Sequence, residues 1–344
     1  MLRTGQLRMD QHAQPALIFP SFNITKKGGP LEPITFNWKD PQPGEIVVKV
    51  LACGVCTSIC NDEAAKHQEW PAVKYPIVPG HEIVGEVAAI PSTESKWKLG
   101  QVVGSGWHGG HCHLCATCRV GDYMMCEKQD VNGILRHGGT EAVCAVPDGM
   151  DPAEVAPLFC AGVTMFNGLR NMSARPPDYV AIQGIGGLGH LGIQFAKAMG
   201  YRPIALSSSD AKEELSKTLG AEVYVDGSKV DQAEALQELG GAKLIMCTAP
   251  NADVIHTLLP GLAVGGELCV VVLTGEAPIN LGALVTKRLS VRGWPSGVAP
   301  DSEDCVKFAK VHGIRTMVQK FPLEKAEEAY NHRSTARFRA VIIP

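Results

Sequence analysis

Hydrophobic residues follow two different periods along this chain, and the change of period divides it. Between residues 16 and 50, apolar and polar positions alternate within short segments bounded by Gly and Pro, which is typical of antiparallel strands. From residue 179 to about 295, apolar strands such as AKLIMCT and GELCVVVL alternate with segments of helical period. This second pattern predicts an α/β fold in which helices cover both faces of a parallel sheet.

The segment Tyr179–Gly200 places a strand, a glycine-rich turn and a helix in direct succession. Its turn has the G-x-G-x-x-G spacing of dinucleotide-binding folds. The first glycine permits a tight turn, the second lets the backbone approach a pyrophosphate, and the third lets the helix pack on the strand. The free amides at the N-terminus of such a helix attract phosphate. The residues predicted to bind a dinucleotide are Gly184, Gly186, Gly187 and Gly189.

Length and composition restrict the classes of function. A chain of 344 residues is expected to form two domains, and 45% hydrophobic with 19% charged residues is ordinary for a globular enzyme. A net charge of −3 without a long basic run argues against nucleic acid or a membrane as the main partner. Because the N-terminus lacks a signal-peptide pattern and no apolar run is long enough to span a bilayer, we expect a cytoplasmic protein. In that compartment, twelve cysteines indicate metal binding rather than disulfides.

Four cysteines with regular spacing form the strongest local motif in the chain. They follow the pattern C-x2-C-x2-C-x7-C and comprise Cys112, Cys115, Cys118 and Cys126. Four thiolates can close a tetrahedral zinc shell, which leaves no position for a substrate, so the predicted role is structural. A disulfide or redox function is the alternative. His108, His111 and His113 lie in the same loop, but the regular cysteines favour packing or solvated roles for them.

A second set of candidate metal ligands is dispersed along the sequence. Cys56 follows a predicted strand, and His81 and Glu82 come at the start of another after a Pro/Gly loop. Cys160 could supply a third ligand. Taken one at a time, a lone Cys or His is more often a packing residue. A catalytic zinc site needs three protein ligands and one open position, which these residues could provide.

In combination, these motifs resemble the zinc-containing alcohol dehydrogenases of the medium-chain dehydrogenase/reductase superfamily. The segments that carry the resemblance are GVCTS (54–58), GHEIVGEV (80–87), the four-cysteine lobe (112–126), HGGTEAV (137–143), LFCAGVT (158–164), QGIGGLGHLG (183–192) and ARFRAVI (336–342). The resemblance implies a GroES-like, mostly antiparallel catalytic domain (1–160), a Rossmann domain with a doubly wound parallel sheet (161–295), and a return to the catalytic domain (296–344). It also implies a homodimer or homotetramer that transfers hydride between a nicotinamide cofactor and a small-molecule alcohol/aldehyde or ketone pair, and we expect it to work as a carbonyl reductase.

The same resemblance implies roles for individual residues and two zinc ions per chain. Cys56, His81 and Cys160 match the catalytic zinc ligands, and Glu82 matches a nearby second-sphere or transient ligand. Ser58 matches the hydroxyl that binds the substrate oxygen and begins the proton relay. The matches to cofactor contacts are Thr164 and Leu188 against the nicotinamide and Arg339 on the pyrophosphate.

The sequence departs from the family pattern just after the first of these ligands. Ile59 stands where members commonly carry the Asp that orients the zinc-bound His, and Asn61 stands where they carry the relay His. Loss of such a carboxylate can cost roughly 10–100-fold in metal affinity or activity. We therefore expect a less efficient proton relay. One alternative is a specialised-pathway reductase of a larger carbonyl or lactol, and another is a non-catalytic nucleotide-binding protein.

The end of the second Rossmann strand predicts the choice of cofactor. NAD enzymes usually carry an acidic residue there for the ribose 2′-OH. This chain has three hydroxyls instead, at Ser207, Ser208 and Ser209. Lys212 follows with a charge that suits phosphate, and the stretch resembles that of NADP(H)-dependent cinnamyl alcohol dehydrogenases. NADP(H) is therefore favoured over NAD(H), the alternative being that Asp210 reaches back to an NAD ribose.

Overall fold

A computed structural model of the chain describes residues 18–56, 72–135, 143–333 and 335–344. The strands in these residues are β1 (Ile18–Ile24), β2 (Leu31–Asn37), β3 (Val47–Val55), β4 (Glu82–Ala89), β5 (Val102–Ser105), β6 (His108–Gly110), β7 (Asp130–Val131), β8 (Val143–Ala145), β9 (Tyr179–Gln183), β10 (Arg202–Ser207), β11 (Val223–Asp226), β12 (Ala242–Cys247), β13 (Leu262–Val270), β14 (Ser290–Gly293), β15 (Val318–Pro322) and β16 (Arg339–Ile343). The α-helices are α1 (Ala116–Arg119), α2 (Pro152–Val155), α3 (Ala161–Asn171), α4 (Gly189–Ala198), α5 (Glu213–Thr218), α6 (Gln232–Glu238), α7 (Asp253–Leu258), α8 (Leu281–Lys287), α9 (Ala299–His312) and α10 (Ala326–His332).

The first six-stranded sheet has the order β15-β16-β3-β4-β5-β8. Its neighbours are antiparallel except for the parallel pair β15 and β16. The predicted mostly antiparallel sheet of the N-terminal part is thereby confirmed. Two of its six strands, β15 and β16, come from the C-terminal part of the chain. Strand β16 inserts next to β3 and pairs Val341 with Gly54.

The second six-stranded sheet is wholly parallel and has the order β11-β10-β9-β12-β13-β14. The predicted Rossmann sheet is therefore confirmed. Its strand order reverses between β9 and β12, and open α/β sheets bind ligands beyond the carboxyl ends of the strands at such a point. Val180, Ala181 and Ile182 are fully buried in β9, as expected for a central strand covered on both faces.

One hydrophobic core runs from the first sheet to the second. Helix α3 lies within it, and every residue from Ala161 to Leu169 is buried. The same cluster contains Val84 of the first sheet and Ile182 of the second. The predicted boundary after residue 160 falls at the start of α3, and the one after 295 falls just beyond β14; both stay predictions. No helix in the described part of the chain combines the length and apolar character needed to cross a membrane.

Candidate active site and cofactor cleft

The structure brings the dispersed candidate ligands into one buried group. Donor atoms of Cys56, His81, Glu82 and Cys160 all lie within 4.8 Å of one another. The fold explains why these residues lie together. Cys56 directly follows β3, and β3 pairs with β4, which begins at Glu82. Cys160 is the N-cap residue of α3. All four side chains are buried, so the group is shielded from bulk water.

The donor set and its spacing fit a zinc ion. Two thiols, an imidazole and a carboxylate are the ligand types that zinc takes in proteins. With Zn–S bonds of about 2.3 Å and tetrahedral angles, two sulfur ligands should lie roughly 3.8 Å apart. The Sγ atoms of Cys56 and Cys160 are 3.9 Å apart.

Glu82 and Arg339 connect this group to the nucleotide-binding turn. The Arg339 guanidinium lies 2.9 Å from Glu82 Oε1, and both side chains are fully buried. Gly54 makes room for the carboxylate, since a Cβ there would lie 1.9 Å from Glu82 Oε2. On its other side the guanidinium lies beneath the turn, where a Cβ on Gly187 would be 3.6 Å from Nη1. Arg339, predicted to contact the pyrophosphate, is thus fully buried against a candidate metal ligand, an arrangement that sequence reasoning did not anticipate.

The four-cysteine lobe forms a second compact group of donors. Its Sγ atoms also lie within 4.8 Å of one another, and those of Cys115 and Cys126 are 3.9 Å apart. Backbone amides point at the sulfurs: Leu114 and Cys115 donate to Cys112 Sγ at 3.4 and 3.3 Å. These two amides lower the pKa of the Cys112 thiol. They favour the thiolate at Cys112, whereas burial raises the pKa of the Cys118 thiol to about 12. The spacing of the four sulfurs fits a closed four-sulfur zinc shell.

The glycines of the turn have the three geometric roles expected from the motif. Gly184 has φ of +86°, a conformation that L side chains rarely adopt. A Cβ on Gly186 would meet no atom within 4 Å, so this backbone is open to a ligand. A Cβ on Gly189 would lie 1.9 Å from the Gly184 carbonyl, so only glycine permits this close packing of helix and strand.

A cleft of about 430 Å³ lies against this turn. Its lining consists of Gly184, Ile185, Gly186, Gly187, Leu188, Lys212, Thr248, Ala249, Pro250, Val272, Arg333, Thr335, Ala336, Arg337 and Phe338. Three basic residues and no acidic residue line the described walls, which suits an anionic ligand. Sequence analysis missed Thr248 and the segment from Arg333 to Phe338. Part of that segment is contained in the motif ARFRAVI, which was the available signal.

Of the four residues expected to select the cofactor, one lines this cleft and three do not. Lys212 lines it and donates from Nζ to the Ile185 carbonyl at 2.7 Å. Burial, and then the charge of Arg337, lower the pKa of Lys212. Ser207, half-buried at the end of β10, accepts a hydrogen bond at its carbonyl from Gln232 Nε2 at 2.8 Å. The next two residues, Ser208 and Ser209, are exposed, and none of the three serines is among the residues that line the cleft.

Asp210, the alternative candidate for a ribose ligand, forms an ion pair with Lys229. Asp210 Oδ2 lies 2.8 Å from Lys229 Nζ, in an exposed ion pair.

Thr164, expected near the nicotinamide, is buried in the first turn of α3. Ser58, Ile59 and Asn61 lie outside the described residues.

Comparisons with known proteins place these features in a family. Residues 42–154 match the model of the alcohol dehydrogenase GroES-like domain, and residues 187–311 match that of the zinc-binding dehydrogenases. The alcohol dehydrogenase patD of Penicillium expansum is 46% identical over 312 residues, which cover 88% of this chain and 91% of that protein. An alcohol dehydrogenase of Geobacillus stearothermophilus is 35% identical over 313 residues, with 88% and 91% covered. The structure of a cinnamyl alcohol dehydrogenase (SbCAD4) of Sorghum bicolor superposes with a TM-score of 0.83 at 27% identity, covering 94% of this chain and 97% of that one.

Proposed function

The chain belongs to the zinc-containing alcohol dehydrogenases of the medium-chain dehydrogenase/reductase superfamily, and on that basis we propose that it is an NADP(H)-dependent carbonyl reductase. Its reaction interconverts an alcohol with an aldehyde or ketone, and in the cell it works in the direction of reduction. The observation that carries the proposal is the Glu82–Arg339 ion pair, which joins the buried group of metal donors to the turn beneath the cofactor cleft.

Cys56, His81 and Cys160 would hold the catalytic zinc, with Glu82 as a second-sphere or transient ligand. When bound, this zinc supplies a Lewis acid that polarises the substrate oxygen. The protein excludes water from the ligands by burying all four side chains. Arg339 balances the charge of Glu82 within this dry environment. The second zinc of each chain would be structural and would lie in the four-cysteine lobe.

Two observations support the preference for NADP(H): basic residues line the cleft, and the Asp210 carboxylate is paired with Lys229. Burial and then the charge of Arg337 lower the pKa of Lys212, and an anion between these two side chains would relieve their repulsion. Asp210, the remaining candidate for a ribose ligand, pairs with Lys229 instead. Ser207 places no negative charge at the position that is acidic in NAD enzymes.

Ser58 would bind the substrate oxygen and begin the proton relay, with Thr164 and Leu188 against the nicotinamide. Ile59 and Asn61 weaken the relay, and this observation favours a second candidate substrate, a larger carbonyl or lactol.

On the family resemblance, we further propose that the protein is a cytoplasmic homodimer or homotetramer. Light scattering on the purified protein tests the assembly.

A panel of small and bulky aldehydes, ketones and lactols tests the function through the absorbance of the reduced nicotinamide. The expected result is zinc-dependent oxidation of NADPH, with kcat/KM for NADPH above that for NADH. Zinc-loaded protein that oxidises neither cofactor with any member of the panel would contradict the proposal. A preference for NADH would contradict the cofactor assignment alone.

A further inference from the structure

His190 is a buried histidine that the function proposed above leaves without a role. It follows the last glycine of the nucleotide-binding turn, in the first turn of α4, and its side chain is fully buried. The Nδ1 atom lies 2.9 Å from the Gly186 carbonyl oxygen. On the other side of the ring, the Met317 amide donates to Nε2 at 3.2 Å.

These two partners specify one form of the imidazole. A carbonyl only accepts, so Nδ1 must carry a proton, whereas an amide N–H only donates, so Nε2 must be bare. The ring is therefore neutral and in a single tautomer. Burial lowers the pKa of His190 to about 4, which keeps this form at neutral pH.

One partner of His190 lines the cofactor cleft, and the other is hydrogen-bonded to a residue that does. Gly186 is the glycine whose backbone is open to the ligand, and it belongs to the Rossmann part of the chain. Met317 directly precedes β15 of the other sheet, and its carbonyl accepts from the Phe338 amide at 2.8 Å. Phe338 lines the cleft and stacks on the His190 ring with centroids 4.9 Å apart.

We propose that His190 is a positioning residue for the dinucleotide. It holds the Gly186 turn at a set distance from the segment that carries Phe338, so both walls of the cleft are arranged before the cofactor arrives. Pre-arrangement of this kind raises affinity because less freedom is lost on binding. The inference rests on the proposed function in one respect, that a nicotinamide dinucleotide occupies this cleft.

Helix α4 also provides a matched control one turn further on. Gln194 Nε2 donates to the Arg315 carbonyl at 3.0 Å, and the Arg315 amide donates back to Gln194 Oε1 at 3.1 Å. This pair joins the same helix to the same C-terminal segment and does not include the glycine turn. Gln194→Ala therefore removes a comparable link between the two parts while the tether to Gly186 stays intact.

Equilibrium titration of NADPH and NADH by fluorescence, on zinc-loaded protein, tests the proposal. We expect His190→Leu to raise Kd for both cofactors by about tenfold, the order of magnitude for a lost buried hydrogen bond, and Gln194→Ala to change it less than about twofold. His190→Asn can still donate from the Nδ1 position, and His190→Gln can still accept at the Nε2 position. Affinity should recover more in the Asn variant than in the Gln variant, an order that simple packing does not predict.

Three results would overturn the inference. One is a folded His190→Leu protein, as judged by its thermal transition, that binds both cofactors like the wild type. Another is an equal loss in Gln194→Ala. If His190→Leu does not fold, equal Kd values for the Asn and Gln variants would overturn it as well. Wild-type protein that binds neither cofactor would instead refute the proposed function, and this inference with it.

Discussion

Arg339 and Glu82 form an ion pair in the interior, 2.9 Å apart and without exposure of either side chain. The two residues belong to β16 and β4, which lie on either side of β3 in the first sheet. One end of the pair belongs to the group of metal donors and the other lies below the nucleotide-binding turn. Changes at either residue should therefore affect zinc, cofactor and stability together.

Arg339→Met should be strongly destabilising. Removing one partner of a buried pair leaves the other charge uncompensated, which typically costs about 3–5 kcal/mol. Arg202→Met provides the control, because the Arg202–Glu222 pair is well exposed and such pairs contribute about 0–1 kcal/mol. Thermal denaturation and zinc content are the measurements. Equal shifts in the melting temperature for both variants would show that the buried pair contributes no more to stability than the exposed pair.

Substitutions in the two cysteine groups should have separable effects. Cys115→Ser should lower solubility and thermal stability, because metal binding contributes directly to the folding of a small lobe. Cys56→Ser should keep the fold and abolish turnover. Cys247→Ala serves as the control, since Cys247 is buried in β12 outside both groups. Metal analysis should find two zinc ions per wild-type chain and one in Cys56→Ser; fully active protein with a single zinc would refute the assignment.

Cofactor preference should respond to charge beside the cleft. Ser207→Asp should lower kcat/KM for NADPH by about tenfold or more, because a carboxylate repels the 2′-phosphate and suits a ribose hydroxyl. Arg337→Ala should lower it as well, with a smaller effect on NADH. Lys217→Ala, an exposed change on α5 paired with Glu213, should alter neither. A Ser207→Asp enzyme that uses NADPH as well as the wild type would argue against recognition of the phosphate there.

The stability of the protein should fall in mild acid because of His190. The pKa of this residue drops from 6.5 to about 4 through burial, with a further lowering from the charge of Arg339. Above pH 6.5 neither the folded nor the unfolded chain binds the proton. Between pH 6.5 and 4 only the unfolded chain binds it, so about 3 kcal/mol of stability is lost across this window.

Urea unfolding at a series of pH values measures this loss. The free energy of unfolding of His190→Gln should depend less on pH than that of the wild type between pH 6.5 and 4. Gln194→Ala should follow the wild-type slope. Parallel curves for the wild type and His190→Gln would show that another group dominates the acid response.

Features encoded by neighbouring residues could be predicted from the sequence. Features that depend on contacts between residues distant in sequence could not. The Gly184 to Gly189 turn has the expected geometry because its strand, turn and helix are consecutive. The fold class is confirmed because alternating strands and helices are also local patterns, and the family is confirmed because each of its motifs is a short continuous segment. Arg339 matches a pyrophosphate contact by position, yet no local pattern shows that Glu82 lies against it. The basic wall contributed by Arg337 likewise depends on where β16 inserts, which periodicity does not reveal.

The internal position of β16 in the first sheet has a consequence for how the protein is made. Strand β3 pairs on one side with β4 but on the other with residues 339–343, which are made only after all the strands of the Rossmann sheet. Domains generally fold in order from the N-terminus during synthesis. Here the Rossmann sheet is complete in the nascent chain first, while β3 keeps an open edge until β16 has been made. A chain truncated before β16 would leave that edge unpaired in every copy released.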